Sequence, residues 1–312
     1  MLQQTRVATV IGYYERFLRR FPDLPALAHA PLEEVLALWA GLGYYARARL
    51  AHACARTVMQ EHGGRFPTNA AALEQLPGIG ASTAAAIGAF CFGERAAVLD
   101  ANVKRVLIRR YAIEDDPRQA QVLTRLWTHA RALLPQRRQM ARYTQAIMDL
   151  GAEVCGRAAP RCGNCPVQED CLAHIRGRVA DLPRRDPSPA RPVRRVQFLV
   201  ALHRDAVLLE ERPPSGIWGG LLSPPQYSTR AALHAAARRI GASAAPKALA
   251  PRRHGFTHFT LAFTPHLLHL GGVRVRSTDP RLRWLELAKI DEAPLPAPVL
   301  RLLRELRGAQ EI

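Results

Sequence analysis

Lysine is nearly missing from this chain of 312 residues: Lys104, Lys247 and Lys289 are the whole complement, so the positive charge is arginine charge. Carboxylates are also scarce. Lys and Arg together number 44 against 26 Asp and Glu, a formal charge of +18, and Pro213 to Gly241 hold no acidic residue at all. That gap excludes a carboxylate-held divalent metal within the stretch. No apolar run approaches the span of a bilayer, and no cationic-then-apolar leader opens the chain. These absences point away from a membrane and toward a soluble intracellular protein. What remains is a basic field that attracts polyanions, nucleic acid being the commonest inside a cell. A GC-rich codon bias raises arginine, but it does not lower the acidic residues to match.

Of six cysteines, four are crowded together as Cys155-x6-Cys162-x2-Cys165-x5-Cys171. Four thiolates so close in sequence converge readily on one inorganic centre, either an iron–sulfur cluster or a structural zinc. Disulfides are the bland alternative, and nothing marks the chain for export. Cys54 and Cys91 stand apart in apolar helical stretches.

Periodicity divides the chain. Residues 1–177 read as helical throughout, with apolar positions at a 3.6-residue period over 7–21 and a second helix begun by Pro31. Further helices are predicted over about 45–61, 70–76, 81–92, 102–112, 117–134 and 139–154. Residues 178–194 carry Pro183, Pro187, Pro189 and Pro192, which deny them both helix and ladder and predict an extended linker. Residues 195–312 are mixed. Strands are predicted at Val196–His203, Ala206–Glu211, Phe259–Leu270 and Leu282–Leu287, with helices at Arg230–Ile240 and Ala297–Arg307. The fold class expected is a mainly α N-terminal domain followed by a smaller α+β domain.

Leu76-Pro77-Gly78-Ile79-Gly80 lies between two helical patterns. Gly78 and Gly80 permit a tight turn that leads into a helix N-terminus capped by Ser82 or Thr83, where backbone N–H groups receive a phosphate. An ordinary helix–helix turn is the alternative. Downstream, Asp100 sits at the expected N-cap of the helix begun by Ala101-Asn102-Val103-Lys104, where the helix dipole favours negative charge.

The hairpin, the aspartate and the four-cysteine loop together resemble the helix-hairpin-helix DNA glycosylases that carry a C-terminal [4Fe–4S] loop, and within them the adenine DNA glycosylase (MutY) family. Met1-Leu2-Gln3-Gln4-Thr5, Gly41-Leu42-Gly43-Tyr44-Tyr45-Ala46-Arg47-Ala48-Arg49 and Met148-Asp149-Leu150-Gly151-Ala152 look like that family's segments. The resemblance implies a glycosylase domain over residues 1–177, with its hairpin at about 70–92 and its cluster loop at 155–171. It favours iron–sulfur over zinc, with Cys155, Cys162, Cys165 and Cys171 as ligands. It also implies double-stranded DNA carrying adenine opposite 8-oxoguanine or guanine as the partner, and a monomer working at the nucleoid in a bacterial cytoplasm.

By the same resemblance Asp100 is the anion that stabilises the oxocarbenium-like sugar, Asn102 orients it, and Ser82 lies near the same pocket. Related glycosylase/lyases carry a nucleophilic lysine where this chain has Ser82, so a monofunctional enzyme is expected, with a bifunctional lyase as the alternative. Lys104 is expected beside the site without a catalytic part. Gln4 and Tyr44 are expected to fill and wedge the helix, with Thr5 and Leu42 flanking the 8-oxoguanine; Tyr45 is expected in the core. The family's acid is a glutamate two residues before the methionine that is Met1 here. Either translation begins upstream, or this is a truncated homologue that binds damage without catalysis. Apolar surface left bare by a helix starting mid-motif favours the first, and the chain as given is expected to excise adenine poorly.

Residues 195–312 resemble the MutT-like, Nudix-fold lesion-recognition domain of these enzymes, on Arg212-Pro213-Pro214-Ser215-Gly216-Ile217-Trp218-Gly219-Gly220 and His254-Gly255-Phe256-Thr257-His258. The missing carboxylates exclude nucleotide hydrolysis and leave recognition. Phe256, Thr257 and His258 would then test for 8-oxoguanine, with a core histidine as the alternative for His258. Arg157 and Arg161 of the cysteine loop are expected on the DNA backbone.

Overall fold

The computed structural model describes residues 1–3, 5, 7–184, 190–271 and 279–310. Gln4 and the middle of the proline-rich segment, 185–189, fall outside that set. The chain forms two compact units, Met1–Arg56 with Ala190–Ile312, and Thr57–Pro189.

In the first unit, α1 (Val7–Arg20), α2 (Leu24–His29) and α3 (Leu32–Trp39) follow one another closely, and α4 (Ala46–Glu61) leaves it. Asp23 caps α2 by accepting the Ala26 N–H at 2.8 Å, with Pro25 in the first turn. That helix was not expected, because six residues are too few to show a period. Phe17 and Phe21 meet edge to face at 5.0 Å, and Phe17 meets Trp39 likewise at 6.0 Å. These rings lie against Val10, Val35 and Leu36.

The sheet of the same unit explains its sequence. β1 (Val193–His203) runs parallel to β7 (Thr260–His269) from Val193↔Thr260 to Leu202↔His269, and antiparallel to β2 (Ala206–Glu211). β1 is covered on both faces, which is why its second half is continuously apolar rather than alternating. Phe198, Val200 and Leu202 face a core shared with α1, α3 and α12 (Ala297–Gln310). Leu199 and Ala201 face α11 (Arg230–Arg239) through Leu233 and Ala237. Each such fully buried aliphatic side chain contributes about 2 kcal/mol. The turn between β1 and β2 places Arg204 at φ 52°, in the gap between the two predicted strands. β3 (Leu222–Ser223), β4 (Gln226–Tyr227), β5 (Lys247–Ala248), β6 (Arg252–Gly255) and β8 (Leu282–Glu286) complete a mixed sheet. β1 starts at Val193, two residues inside the predicted linker, since Val193 and Arg194 have ladder partners on β7.

The second unit is helical: α5 (Ala70–Leu73), α6 (Ala81–Phe92), α7 (Ala101–Arg110), α8 (Ala120–Ala132), α9 (Met140–Asp149) and the short α10 (Leu172–Ile175). Leu99, Val103, Leu107, Ile108, Leu126 and Ile147 share its core. Leu182 belongs there too, at 3% exposure, so the first part of the predicted linker is packed chain. No helix among the described residues is long and apolar enough to cross a membrane.

Candidate functional site

The hairpin before α6 turns as the glycines require. Gly78 holds φ 78°, a left-handed conformation that disfavours a Cβ, and the Ile79 N–H closes the turn on the Leu76 carbonyl at 3.1 Å. The expected cap is absent. Gly80 is itself the N-cap of α6, with no side chain bonded to the helix end. The Ser82 hydroxyl instead accepts the Leu99 N–H at 2.8 Å, tying α6 to the segment that delivers Asp100.

Asp100 stands where expected, as N-cap of α7, its Oδ1 accepting the Val103 N–H at 2.7 Å. Two turns of side chains behind it are anchored by arginines that look like ordinary solvated charges in the sequence. Arg105 donates to Asn102 Oδ1 at 2.9 Å, to the Gly151 carbonyl at 2.5 Å and to the Cys155 carbonyl at 2.7 Å. Burial lowers the Arg105 pKa, with Cys155 opposing the shift. Arg109, 2% exposed, donates to the carbonyls of Leu182 at 2.8 Å and Gly156 at 2.9 Å, and reaches Cys155 Sγ at 3.3 Å. A π turn at Leu150–Val154 brings the chain against α7. A Cβ on Gly151 would lie 2.7 Å from Asn102 Cβ, so only glycine fits there. Lys104 is half-buried on the same helix, its N–H bonded to the Asp100 carbonyl at 2.9 Å.

The four loop cysteines line a single recess with Arg109, Gln168 and His174, and all four thiols are free. Burial raises the Cys162 pKa, and the other three sulfurs raise it further while Arg109 opposes them. Such crowding of thiols is relieved when a metal takes their charge. Among the described residues no group of three or more His, Cys, Asp or Glu side chains is placed to hold a metal ion. Four thiols lining one recess are a donor set that either a thiolate-held cluster or a zinc ion accepts. Arg161 is exposed, and its guanidinium donates to the Glu153 carbonyl at 2.6 Å, bracing the loop.

The residues expected to touch the lesion gather in the first unit. Gly41 is held at φ 100°, and a Cβ there would strike the Tyr13 hydroxyl at 2.2 Å. Gly43 follows at φ 73°, then Tyr44 at φ 50°, with 51% of Tyr44 exposed. Tyr45 turns inward: its hydroxyl accepts the Gly41 N–H at 3.3 Å, and burial raises its pKa. Leu42 does not join Tyr44. It packs beside Trp39 at 6% exposure, because the Leu42 N–H bonds the Trp39 carbonyl at 3.1 Å and rolls the residue into the core.

Tyr44 borders a cavity of about 520 Å³ whose other walls include Trp218, Phe256, Thr257, His258 and Phe259. The Phe256 N–H bonds the Phe259 carbonyl at 2.8 Å, and the two rings stack at 4.6 Å, closing a tight turn that lifts Thr257 and His258 outward. Both are exposed, which removes the core alternative for His258. Arg194 lies over the Phe259 ring at 4.5 Å, and Arg49 grips the Gly219 carbonyl at 2.6 Å. α11, the helix after the glycine loop, carries no carboxylate.

Residues 1–132 match the HhH-GPD superfamily of base excision DNA repair proteins, and residues 196–305 match the NUDIX domain family. Over 309 residues the chain is 32% identical to the adenine DNA glycosylase of Buchnera aphidicola subsp. Baizongia pistaciae, covering 98% of this chain and 87% of that protein. It is 34% identical over 367 residues to the adenine DNA glycosylase of Homo sapiens, covering 99% of this chain and 67% of that one. A thermostable thymine-DNA glycosylase of solved structure aligns with a TM-score of 0.50 at 28% identity, over 56% of this chain and 80% of its own.

Proposed function

The chain belongs to the adenine DNA glycosylase family and is a DNA N-glycosylase of base-excision repair; from that premise we propose that it removes adenine mispaired with 8-oxoguanine or guanine in double-stranded DNA. The observation that carries the substrate reading is the cavity that joins Tyr44 to Phe256, Thr257 and His258 within one unit. An exposed aromatic on a twin-glycine loop stacks into the space opened when a base leaves the helix, which repays part of the unstacking. The hydroxyl and imidazole opposite it then meet the remaining, oxidised base.

The chemistry falls to the other unit. Breaking a purine N-glycosidic bond leaves a cationic sugar, and Asp100 is the anion that stabilises it at C1′. The Val103 N–H engages Asp100 Oδ1 and fixes the carboxylate, leaving Oδ2 for the sugar. Arg105 occupies Asn102 Oδ1, so the Asn102 amide serves the site as a donor. Protonation of the departing adenine falls, in the resembled family, to a glutamate that these 312 residues do not include. Ser82 supplies no amine for a Schiff base, which makes the enzyme monofunctional. Cys155, Cys162, Cys165 and Cys171 would hold a [4Fe–4S] cluster, which would clamp the loop; Arg109 brings positive charge to Cys155.

The test is single-turnover adenine release from duplexes containing A:8-oxoG, A:G or A:T, using the chain extended at its N-terminus to include that glutamate. The reading expects release from the first two, fastest opposite 8-oxoguanine, with the strand left uncut. Equal release from all three, or direct strand cleavage, contradicts it.

A further inference from the structure

Arg47 holds the two lesion-facing segments of the first unit in one grip. Its Nη1 donates to the Met1 carbonyl at 2.7 Å and also to the Gln3 carbonyl. Its Nη2 donates to the Thr5 hydroxyl at 3.0 Å and to the Gly43 carbonyl at 3.2 Å. The two terminal nitrogens of a guanidinium carry four N–H bonds, and each has an acceptor here. The Gly43 carbonyl is held a second time, by the Trp39 indole N–H at 3.2 Å. The guanidinium carbon lies 5.4 Å from the Trp39 ring centroid and 5.5 Å from that of Tyr44. One planar cation therefore connects the peptide around Thr5, the carbonyl just before Tyr44, and the Tyr44 ring.

The direction of one of these bonds has a chemical consequence. Arg47 has only donors, so the Thr5 oxygen accepts, and the Thr5 proton is left to be donated elsewhere. 8-Oxoguanine carries an oxygen acceptor at C8 where guanine carries C–H, and a proton on N7 where guanine has an acceptor. We propose that Arg47 is a positioning residue for lesion specificity: it sets Thr5 as a donor aimed at the extra oxygen and holds Tyr44 in its left-handed conformation beside it. A lysine has the charge but not the planar fork, and cannot make these four bonds at once. The inference rests on the proposed reading of the Tyr44 cavity as the 8-oxoguanine site.

The experiment is equilibrium binding of the chain to duplexes bearing an uncleavable 2′-fluoro adenosine analogue opposite 8-oxoguanine or opposite guanine. Wild type is compared with Arg47→Lys, Arg47→Met and Thr5→Val, with thermal melting of each variant as a check on folding. The expected result is that each variant loses about tenfold of the 8-oxoguanine-over-guanine preference, the contribution of one well-placed hydrogen bond to a base. Binding to the guanine duplex should change far less. Combining Arg47→Lys with Thr5→Val should cost no more preference than either alone. A merely structural Arg47 would weaken both duplexes equally. Should wild type prefer 8-oxoguanine while the variants keep that ratio, the role given to Arg47 is wrong and the site reading stands. Should wild type show no preference, the site reading falls and takes this inference with it.

Discussion

Replacing Gly151 by alanine is a severe test of how the second unit positions its carboxylate. The added methyl would lie 2.7 Å from Asn102 Cβ and 3.0 Å from both the carbonyl carbon and oxygen of Asn102. Two of those three atoms are backbone, so no rotamer change relieves the clash; α7 or the π turn must move. Overpacking of this kind costs about 1–3 kcal/mol, and rigid obstacles place it at the upper end. Alanine returns up to about 1 kcal/mol through helical propensity, leaving a net loss of about 2 kcal/mol. For a unit of this size that is a melting point lower by roughly 5–9 °C. Gly308→Ala is the matched control. Gly308 lies in α12 with no atom within 4 Å of a new Cβ, so it should stabilise by about 0.5–1 kcal/mol. Because the displaced residue is Asn102, adenine release by Gly151→Ala should fall at temperatures where the variant is fully folded. A variant melting with wild type and releasing adenine at its rate would refute the argument.

Arg109→Met should lower stability by about 2 kcal/mol, since it leaves the buried Leu182 carbonyl and the partly buried Gly156 carbonyl without a donor; unchanged urea midpoints would contradict this. Purified protein should carry iron and acid-labile sulfide in equal amounts and no zinc, and Cys162→Ser should lose both; stoichiometric zinc would overturn the cluster assignment. Burial, aided by Arg301, lowers the His254 pKa, and burial, aided by Arg230 and His234, lowers that of His266. The unfolded chain therefore binds these protons more readily than the folded one. The stability they contribute is complete above about pH 6.5 and is lost as pH falls below it. Melting temperatures of wild type should decline on that acid side, and His266→Gln should flatten the decline. A profile equally steep in the variant would show that the buried imidazole plays no part.

How legible these features were depended on how local their causes are. The long helices declare themselves because burial of one face repeats every turn, as along α7. β1 was readable from the apolar run beginning at Phe198. The two-residue strands β3, β4 and β5 were not, because their pairing is set by distant partners rather than by their own residues. Asp100 was legible as an N-cap, since that position has a residue preference of its own. Ser82 was misread as a cap because its partner, the Leu99 N–H, is remote in sequence. Arg105 and Arg109 escaped notice for a related reason. An arginine on a helix looks alike whether it faces water or grips carbonyls some fifty residues away. A sequence signal existed only in Gly151, a helix-weakening residue inside an otherwise helical run, which marks a close approach. Leu42 was expected at the DNA from its neighbours' resemblance, yet its own apolar side chain favours the core it occupies.

The central claim is that the Asp100 carboxylate stabilises the sugar cation as adenine leaves. Single-turnover release from an A:8-oxoG duplex, by the N-terminally extended chain and its Asp100→Asn variant, tests it directly. Asparagine can still accept the Val103 N–H and so keeps the cap; only the negative charge is removed. The account predicts unchanged duplex binding with release slowed by about a thousandfold or more. Release by the variant at the wild-type rate would contradict it.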